Sequence, residues 1–162
     1  MDSDPGCTSL FSAGKCVIMD SGFAVLDALT RLRNFGVFAL IMVKKKGKLW
    51  PKGIGGEEIK AHISSKPAGA TVTLRGEHNG NKFNIYCLKE PDYTTMLMGT
   101  FGSELGAGDE GKVTRWIKPE NVNQASQVSF QLTEPFHLYY KFRGAVDAHN
   151  ARRHFNFLVL VS

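Results

Sequence analysis

Two continuous apolar runs near the start of the chain predict two buried strands with a helix between them. The runs are CVIM at 16–19 and VFALIMV at 37–43, and neither alternates with polar residues as a half-exposed strand would. The segment between them carries apolar residues at helical spacing, namely Val25, Leu29, Leu32 and Phe35. We therefore predict a βαβ unit over 16–43 whose two strands are parallel neighbours.

Polar residues and a glycine mark the expected ends of this helix. Asp20 or Ser21 can cap its N-terminus, since either side chain offers an oxygen to the unpaired amides of a first helical turn. Gly36 is a typical C-terminal stop, because glycine tolerates the left-handed conformation that often follows a helix.

The middle of the chain is rich in Thr, Val, Ile, Tyr and Phe and predicts antiparallel strands. Three segments have this composition, 70–76, 81–89 and 93–102, and further short strands are expected at 113–117 and 126–132. The first three should form a small meander, because the pair Asn79-Gly80 between the first two is a hairpin turn signal. One or two helical turns are expected before them, at 57–63.

The C-terminal part combines a long helical segment with a short apolar run. Residues 134–155 are predicted to form a helix, with Pro135 in the first turn, where proline is tolerated. One face of this helix is apolar: Phe136, Tyr139, Tyr140, Phe142 and Val146. Gly144 and Ala145 are small, and we expect them to let the helix approach a sheet closely. The final run FLVLV predicts a strand or a strand stub.

Composition and charge narrow the class of protein without identifying an activity. The 162 residues, 43% of them hydrophobic, suit one domain with a sizeable core. A net charge of +5 favours acidic or phosphate-rich partners, although many basic proteins bind no nucleic acid. No apolar run reaches the roughly 20 residues of a membrane span, and the polar start MDSDPG is unlike a secretory leader.

The three cysteines indicate packing and a reducing compartment. They include no C-x-x-C pair, so no zinc ligand set is visible. An odd number of cysteines without a leader favours a compartment in which thiols stay reduced. Cys16 and Cys87 lie in apolar, strand-like runs and are expected to pack there as small hydrophobic residues.

Two carboxylates stand out by their surroundings, and each has a structural interpretation beside a functional one. Asp20 follows a predicted parallel strand, and ligands of open α/β sheets gather at the carboxyl ends of strands. The alternative for Asp20 is a helix cap. Asp147 lies among small and basic residues of the last predicted helix, and its alternative is a solvated surface charge or a local ion pair.

Three segments, taken in order, resemble the DDE transposase domain of piggyBac-type elements and their domesticated derivatives. They are VIMDSGF, VLDALTRLRNFGVFALIMVKKKGKLWPK and YYKFRGAVDAHNARRHF, and the resemblance covers roughly residues 15–155. It implies an α/β, partial ribonuclease H-like fold with a small antiparallel β-rich insertion at about 57–132. The family's activity is the cutting and joining of DNA.

The resemblance also implies a metal site. It matches Asp20 to the family's second catalytic acid and Asp147 to its third. Mg²⁺ prefers hard oxygen ligands such as carboxylates. A pair of such ions can activate a hydroxyl nucleophile and stabilise the leaving oxygen of a phosphate ester. Mg²⁺ is therefore the expected cofactor, held by Asp20 and Asp147.

The sequence departs from the family at its N-terminal side. The family's first acid lies on a strand upstream of the segment that matches CVIM, where this chain offers only residues 1–14. Asp2 and Asp4 are not given that role, because no β-rich run presents them. We expect an irregular arm at 1–14, a truncated DDE domain at 15–155 and a C-terminal stub at 156–162.

The expected consequence is a catalytically incomplete transposase remnant that at most binds DNA. Without a neighbouring first strand, CVIM should be an exposed apolar edge, and a site with two acids should hold Mg²⁺ weakly. Two alternatives stay open. One is an active Mg-dependent transposase or nuclease completed by a partner chain. The other is a non-catalytic interaction module that adds a partner's strands at CVIM.

Basic residues flank both acids and form the predicted DNA-binding set: Lys44, Lys45, Lys46, Lys48, Lys52, Arg143, Arg152 and Arg153. If the first two strands are parallel, the lysines follow the same sheet end as Asp20 and can contact a phosphate backbone there. The alternative for the lysines is a solvated loop. The resemblance implies a nuclear location, with DNA and a fuller transposase or a second copy as partners. It implies no membrane and no small-molecule substrate.

Overall fold

The computed structural model describes residues 14–43, 56–100, 105–117, 124–153 and 159–161. For residues 146–153 and 159–161 this description is limited to the backbone. The predicted DNA-binding lysines, Lys44, Lys45, Lys46, Lys48 and Lys52, lie outside the described residues, as does most of the N-terminal arm.

The described residues form a six-stranded mixed sheet, a separate two-stranded sheet and three helices. In chain order the elements are β1 (Cys16–Met19), α1 (Leu26–Asn34), β2 (Phe38–Met42), α2 (Gly56–Ser64), β3 (Thr71–His78), β4 (Asn81–Lys89), β5 (Thr94–Gly99), β6 (Lys112–Ile117), β7 (Ser126–Gln131), α3 (Glu134–Arg153) and β8 (Val159–Val161). The large sheet has the order β3-β4-β5-β2-β1-β8, and β6 pairs with β7. The predicted α/β class is confirmed.

The predicted βαβ unit is present, with β1 and β2 as parallel neighbours. All four residues of β1 are buried, as expected of a strand covered on both faces. Gly36 has a φ of 73° directly after the helix, which is the left-handed conformation expected at a C-terminal stop. The order of the unit therefore follows from the apolar pattern alone.

The ends of α1 differ from the prediction. A short 3-10 turn, Ser21–Phe23, separates the strand from the helix, and Asp20 caps this turn instead of α1. The residue before α1 is Val25, which makes no side-chain capping bond. Because the helix ends at Asn34, Phe35 does not extend the apolar face as predicted and is 72% exposed.

The predicted β-rich region continues the main sheet. β3, β4 and β5 form the expected antiparallel meander, with Asn79 and Gly80 both at positive φ in the hairpin turn. β5 then pairs antiparallel with β2, so the meander joins the βαβ unit edge to edge. This pairing was not predicted, because nothing local in the sequence selects the partner of β5.

The main sheet has an apolar core on each face, and the alternation of side chains along the strands assigns residues to one face or the other. The face that carries α1 and α2 buries Val17, Met19, Ala39, Ile41, Ile85, Cys87, Met96 and Met98 against Leu29 and Ile63. The opposite face, here called the α3 face, buries Cys16, Ile18, Leu40, Tyr86, Leu88 and Leu97 against Phe136 and Tyr139. No helix in the described part of the chain has the length and hydropathy needed to cross a membrane.

The edge of β1 is covered, which corrects the expectation of an exposed apolar strand at CVIM. β8 pairs antiparallel with β1, with Val159 opposite Ile18 and Val161 opposite Cys16. The C-terminal stub of the prediction thus supplies the second neighbour of β1. The proposed addition of a partner's strand at CVIM has no open edge to use, since β2 and β8 occupy both sides.

The small residues of α3 do not mediate close packing, contrary to the prediction. Gly144 and Ala145 are exposed, and a Cβ atom built on Gly144 would meet no atom within 4 Å among the described residues. The helix packs against the sheet through its first three turns instead, by Phe136 and Tyr139. Its bulky aromatic residues, not its small ones, set the distance between helix and sheet.

Removal of β8 should cause self-association. A chain ending at residue 158 would expose the backbone amides and carbonyls of β1, which is entirely apolar and buried. We expect dimers or larger species in sedimentation velocity runs at concentrations where the full chain is monodisperse. A chain lacking only Ser162 keeps β8 and is the control. Identical sedimentation of the chain lacking β8 and the full chain would contradict this role of β8.

Stability should fall at alkaline pH because two core thiols must stay protonated. Burial raises the pKa of both thiols from 9.0 to about 12, with the charge of Glu134 adding to the effect at Cys16. Between these pH values the unfolded chain releases protons that the folded chain retains, so the free energy of unfolding decreases as pH rises. Each thiol contributes roughly 1.4 kcal/mol per pH unit in that window.

Urea denaturation of a Cys87→Ala variant checks this attribution. The variant should show a pH dependence of the unfolding free energy that is weaker by about 1.4 kcal/mol per pH unit between pH 9 and 12. The quantity compared is the slope of the unfolding free energy against pH. The loss of stability caused by removing the side chain is the same at every pH and does not change this slope. A slope equal to that of the unmodified chain would contradict it.

Candidate functional site

Asp20 stands at the carboxyl end of β1, on the α3 face of the sheet. Cys16 and Ile18 face α3, and Asp20 is the next residue in this alternation because its backbone is still extended, with φ −73° and ψ 166°. Its Oδ1 accepts a hydrogen bond of 2.6 Å from the Ser21 amide. Asp20 is thus a cap, but of the 3-10 turn Ser21–Phe23 and not, as predicted, of the helix. Within the described part of the chain its Oδ2 has no hydrogen-bond or ion-pair partner.

The helix α3 runs toward the carboxyl ends of β1 and β2, here called the rim, where Asp20 stands. The carboxylate of Glu134, its first residue, acts electrostatically on Cys16 at the start of β1. Five residues later the Tyr139 hydroxyl reaches the Met42 sulfur at the end of β2, at 3.6 Å. The helix axis therefore advances in the direction of the two parallel strands, toward their carboxyl ends.

Asp147 lies further along the same helix. It follows Tyr139 by two turns and a fraction, which is about 12 Å along the axis at 1.5 Å per residue. The side chain of Asp147 lies outside the described residues, and so does its distance to Asp20. The assignment of Asp20 and Asp147 to one metal site therefore stays a prediction.

A buried carboxylate that the sequence did not single out lies at the carboxyl end of β4, at the same end of the sheet. Glu90 follows β4 directly and is fully buried. It accepts hydrogen bonds from Arg115 Nε at 3.0 Å, from Arg115 Nη2 at 3.4 Å and from the Tyr140 hydroxyl at 2.8 Å. The Tyr140 hydroxyl also bonds Thr95 Oγ1 at 3.2 Å. This set of residues, here called the Glu90 cluster, joins the large sheet, β6 and α3.

The protonation states within the Glu90 cluster are held by its own contacts. Burial raises the pKa of the Tyr140 hydroxyl. The hydrogen bond with Thr95 lowers this pKa, whereas the hydrogen bond and the charge of Glu90 raise it further. Burial acts to lower the pKa of Arg115 and is the largest single influence. The hydrogen bond and the charge of Glu90, with smaller effects of two tyrosines, outweigh it, so the pKa of Arg115 is raised. Arg115 therefore stays charged and Tyr140 stays a hydrogen-bond donor at neutral pH.

Glu90 lies on the same face and at the same end of the sheet as Asp20 but not in its immediate surroundings. β4 and β1 are separated by β5 and β2, so three strand spacings of about 4.8 Å put them roughly 14 Å apart across the sheet. The register places Asp20 level with Tyr86, so Glu90 also lies four residues, about 13 Å, further along the strand direction. The two positions are therefore roughly 19 Å apart. Such a separation is too large for both to ligate one divalent cation. Among the described residues no group of three or more His, Cys, Asp and Glu side chains is close enough to hold a metal ion.

The predicted basic surface is described only in part. Arg143 is exposed, with its guanidinium carbon 5.0 Å from the centre of the Tyr140 ring, and that of Arg115 lies 5.7 Å from the same ring. Arg152 and Arg153 are helical residues of α3 whose side chains lie outside the described residues. The parallel register places Asp20 level with Met42, so β2 ends at the rim of Asp20, and the binding role of the lysines that follow in the sequence stays a prediction.

One sequence signal pointed to the Glu90 cluster. In β6 the inward positions are Val113, Arg115 and Ile117, so an arginine interrupts an otherwise apolar alternation. An arginine at such a position implies a buried acid as its partner. The sequence does not identify that acid, because Glu90 precedes Pro91-Asp92 in an apparently ordinary polar turn. Glu90 is buried because β6 and α3 pack over this turn, with Arg115 and Tyr140 against its carboxylate.

Comparison with known proteins gives one match. The model of the family described as Transposase IS4, a DDE-type domain, matches residues 7–157 of the 162-residue chain. No curated protein and no solved structure matches the chain.

Proposed function

Because the chain belongs to the Transposase IS4 family, we propose that it is a piggyBac-type transposase-derived protein that binds DNA but does not cut it. The family membership makes it a transposase-derived protein with a DDE domain. The piggyBac assignment rests on the order of the three segments around Asp20, the lysine run and Asp147. The loss of cutting activity rests on the strand pairing of β1.

The observation that carries the loss of activity is the identity of the strand beside β1. By the resemblance, the strand with the first catalytic acid lies next to the strand that ends in Asp20. In this structure β8 lies there, with the residues Val159, Leu160 and Val161. Residues 155–162 include no Asp or Glu. An N-terminal strand or a partner's strand would have to displace β8 before it could present an acid beside Asp20.

The remaining acids fit a weak metal site. Asp20 commits Oδ1 to the Ser21 amide and offers Oδ2 at the rim, which is a hard oxygen ligand of the type that Mg²⁺ prefers. In this proposal Asp147 supplies the second carboxylate. When bound, Mg²⁺ would polarise a phosphate ester and lower the pKa of a coordinated hydroxyl. Two carboxylates without a third ligand group hold such a cation loosely.

DNA is the proposed partner, and the rim is its proposed binding surface. The lysine-bearing segment starts from the end of β2, and Arg143 is exposed on the helix that runs toward the same rim. Lys and Arg bind DNA mainly through the phosphate backbone, with displacement of counterions. A nuclear location follows from this role, and a fuller transposase chain is a candidate partner because it could supply the missing acid.

The isolated chain should not cleave DNA carrying piggyBac-type ends in the presence of Mg²⁺ or Mn²⁺. The same chain should bind Mn²⁺ weakly in a calorimetric titration, and Asp20→Asn or Asp147→Asn should reduce that binding at least tenfold. Asn at position 20 still offers an oxygen to the Ser21 amide, so the thermal unfolding midpoint should not change. Cleaved DNA that accumulates over repeated turnovers would refute the proposed loss of activity. Metal binding that neither substitution reduces would show that these acids are not ligands.

Replacement of Lys44, Lys45 and Lys46 by Gln should weaken DNA binding and its salt dependence. Each phosphate contact that is lost should reduce the slope of log K against log salt by about 0.9. The control is a variant with the same change in charge, Lys15, Lys60 and Lys82 to Gln, at positions outside the rim. Fluorescence anisotropy with a labelled duplex at several salt concentrations gives both slopes. Equal effects of the two triple substitutions would argue against a binding surface at the rim.

A further inference from the structure

The Glu90 cluster joins three parts of the molecule through a single carboxylate. Glu90 belongs to the turn after β4, Arg115 to β6 of the small sheet, and Tyr140 to α3. All three hydrogen bonds to the carboxylate come from other elements, and the carboxylate is fully buried. A buried charge that loses a partner is strongly unfavourable, so the three elements are held to the geometry that satisfies it.

Apolar packing alone leaves the position of α3 less well determined. Phe136 and Tyr139 pack on the sheet, and such contacts are non-directional, so they tolerate small rotations and translations of a helix. The Tyr140 hydroxyl has two hydrogen-bond partners. It donates to the carboxylate of Glu90 and also bonds the hydroxyl of Thr95 on β5. Two directional bonds to different elements fix both the rotation of α3 about its axis and its height along it.

Tyr140 and Asp147 are related by the helical repeat. Seven residues correspond to nearly two full turns, so position 147 falls within about 20° of position 140 around the helix and about 10 Å further along its axis. A rotation or slip of α3 at Tyr140 is therefore transmitted directly to position 147. The family's third acid is thus two turns away from a residue anchored by two hydrogen bonds.

We propose that Glu90 and Arg115, acting through Tyr140, are positioning residues that set the location of Asp147 at the rim where Asp20 stands. Arg115 compensates the buried charge, and Glu90 orients the Tyr140 hydroxyl. The part of this inference that concerns the metal rests on the proposed function. The part that concerns the helix does not, and the experiment separates the two.

Distance measurement between spin labels tests the position of the helix directly. One label is attached at Ala145→Cys, an exposed position of α3, and the other at Glu58→Cys, an exposed position of α2 on the opposite face of the sheet. Cys7 is replaced by Ser, and the native Cys16 and Cys87 are buried. Double electron–electron resonance then gives the distribution of distances between α2 and α3.

Tyr140→Phe and Glu90→Gln are the test variants, and Tyr139→Phe is the matched control. Tyr140→Phe removes only a hydroxyl and keeps the ring in the core, so it should fold even if Glu90→Gln does not. The control removes a hydroxyl from the same turn of α3, one whose bond goes to the Met42 sulfur and not to Glu90. We expect the distance distribution to shift or broaden by several ångströms in the test variants and to stay unchanged in the control.

An unchanged distribution in Tyr140→Phe would overturn the proposal, as would an equal change in Tyr139→Phe. A second readout, Mn²⁺ affinity, should fall in Tyr140→Phe to the level of Asp147→Asn. The helix could shift in the test variants although the unmodified chain binds no Mn²⁺. That result would support the role of the Glu90 cluster in positioning α3 and refute the metal site. A shifted helix with undiminished Mn²⁺ affinity would refute the link to Asp147.

Discussion

An apolar strand buried on both faces must have hydrogen-bond partners along both of its edges, and β1 imposes this constraint on the whole molecule. Its four residues are almost inaccessible to solvent, so unpaired amides and carbonyls there would be costly. β2 satisfies one edge through the local βαβ connection. The other edge is satisfied by β8, from the far end of the chain. Residues 159–161 are therefore an integral strand of the main sheet.

This pairing bears on the proposed function. In that proposal β8 occupies the side of β1 at which the resemblance puts the strand with the family's first acid. Hydrogen bonding along a strand edge depends on backbone geometry, so Val159, Leu160 and Val161 satisfy it without any acidic side chain. Strand pairing along β1 and metal binding thus make different demands, because the sheet requires only a strand whereas a metal site requires carboxylates.

The carboxyl ends of β1 and β4, at the same end of the sheet, carry acidic groups of different kinds. Asp20 is partly buried and bonded to a backbone amide, which leaves an oxygen for a ligand. Glu90 is fully buried and surrounded by donors from Arg115 and Tyr140, which commits it to structure. The two carboxylates differ because other elements of the fold cover only Glu90 completely. α3 and β6 pack over the turn that contains Glu90, whereas Asp20 directly follows a strand at the opposite side of β2 and β5.

The sequence by itself determined the local elements: the apolar runs of β1 and β2, the meander with its Asn79-Gly80 turn, the long helix α3 and the carboxyl-end position of Asp20. These follow from side-chain periodicity and turn preferences, which act between residues near in sequence. Only the tertiary structure decided that β8 covers β1, that β5 pairs with β2, that Glu90 is buried and that Gly144 is exposed. Each of these depends on which distant segments meet, and that is settled by the joint need to bury apolar surface and to pair every buried polar group.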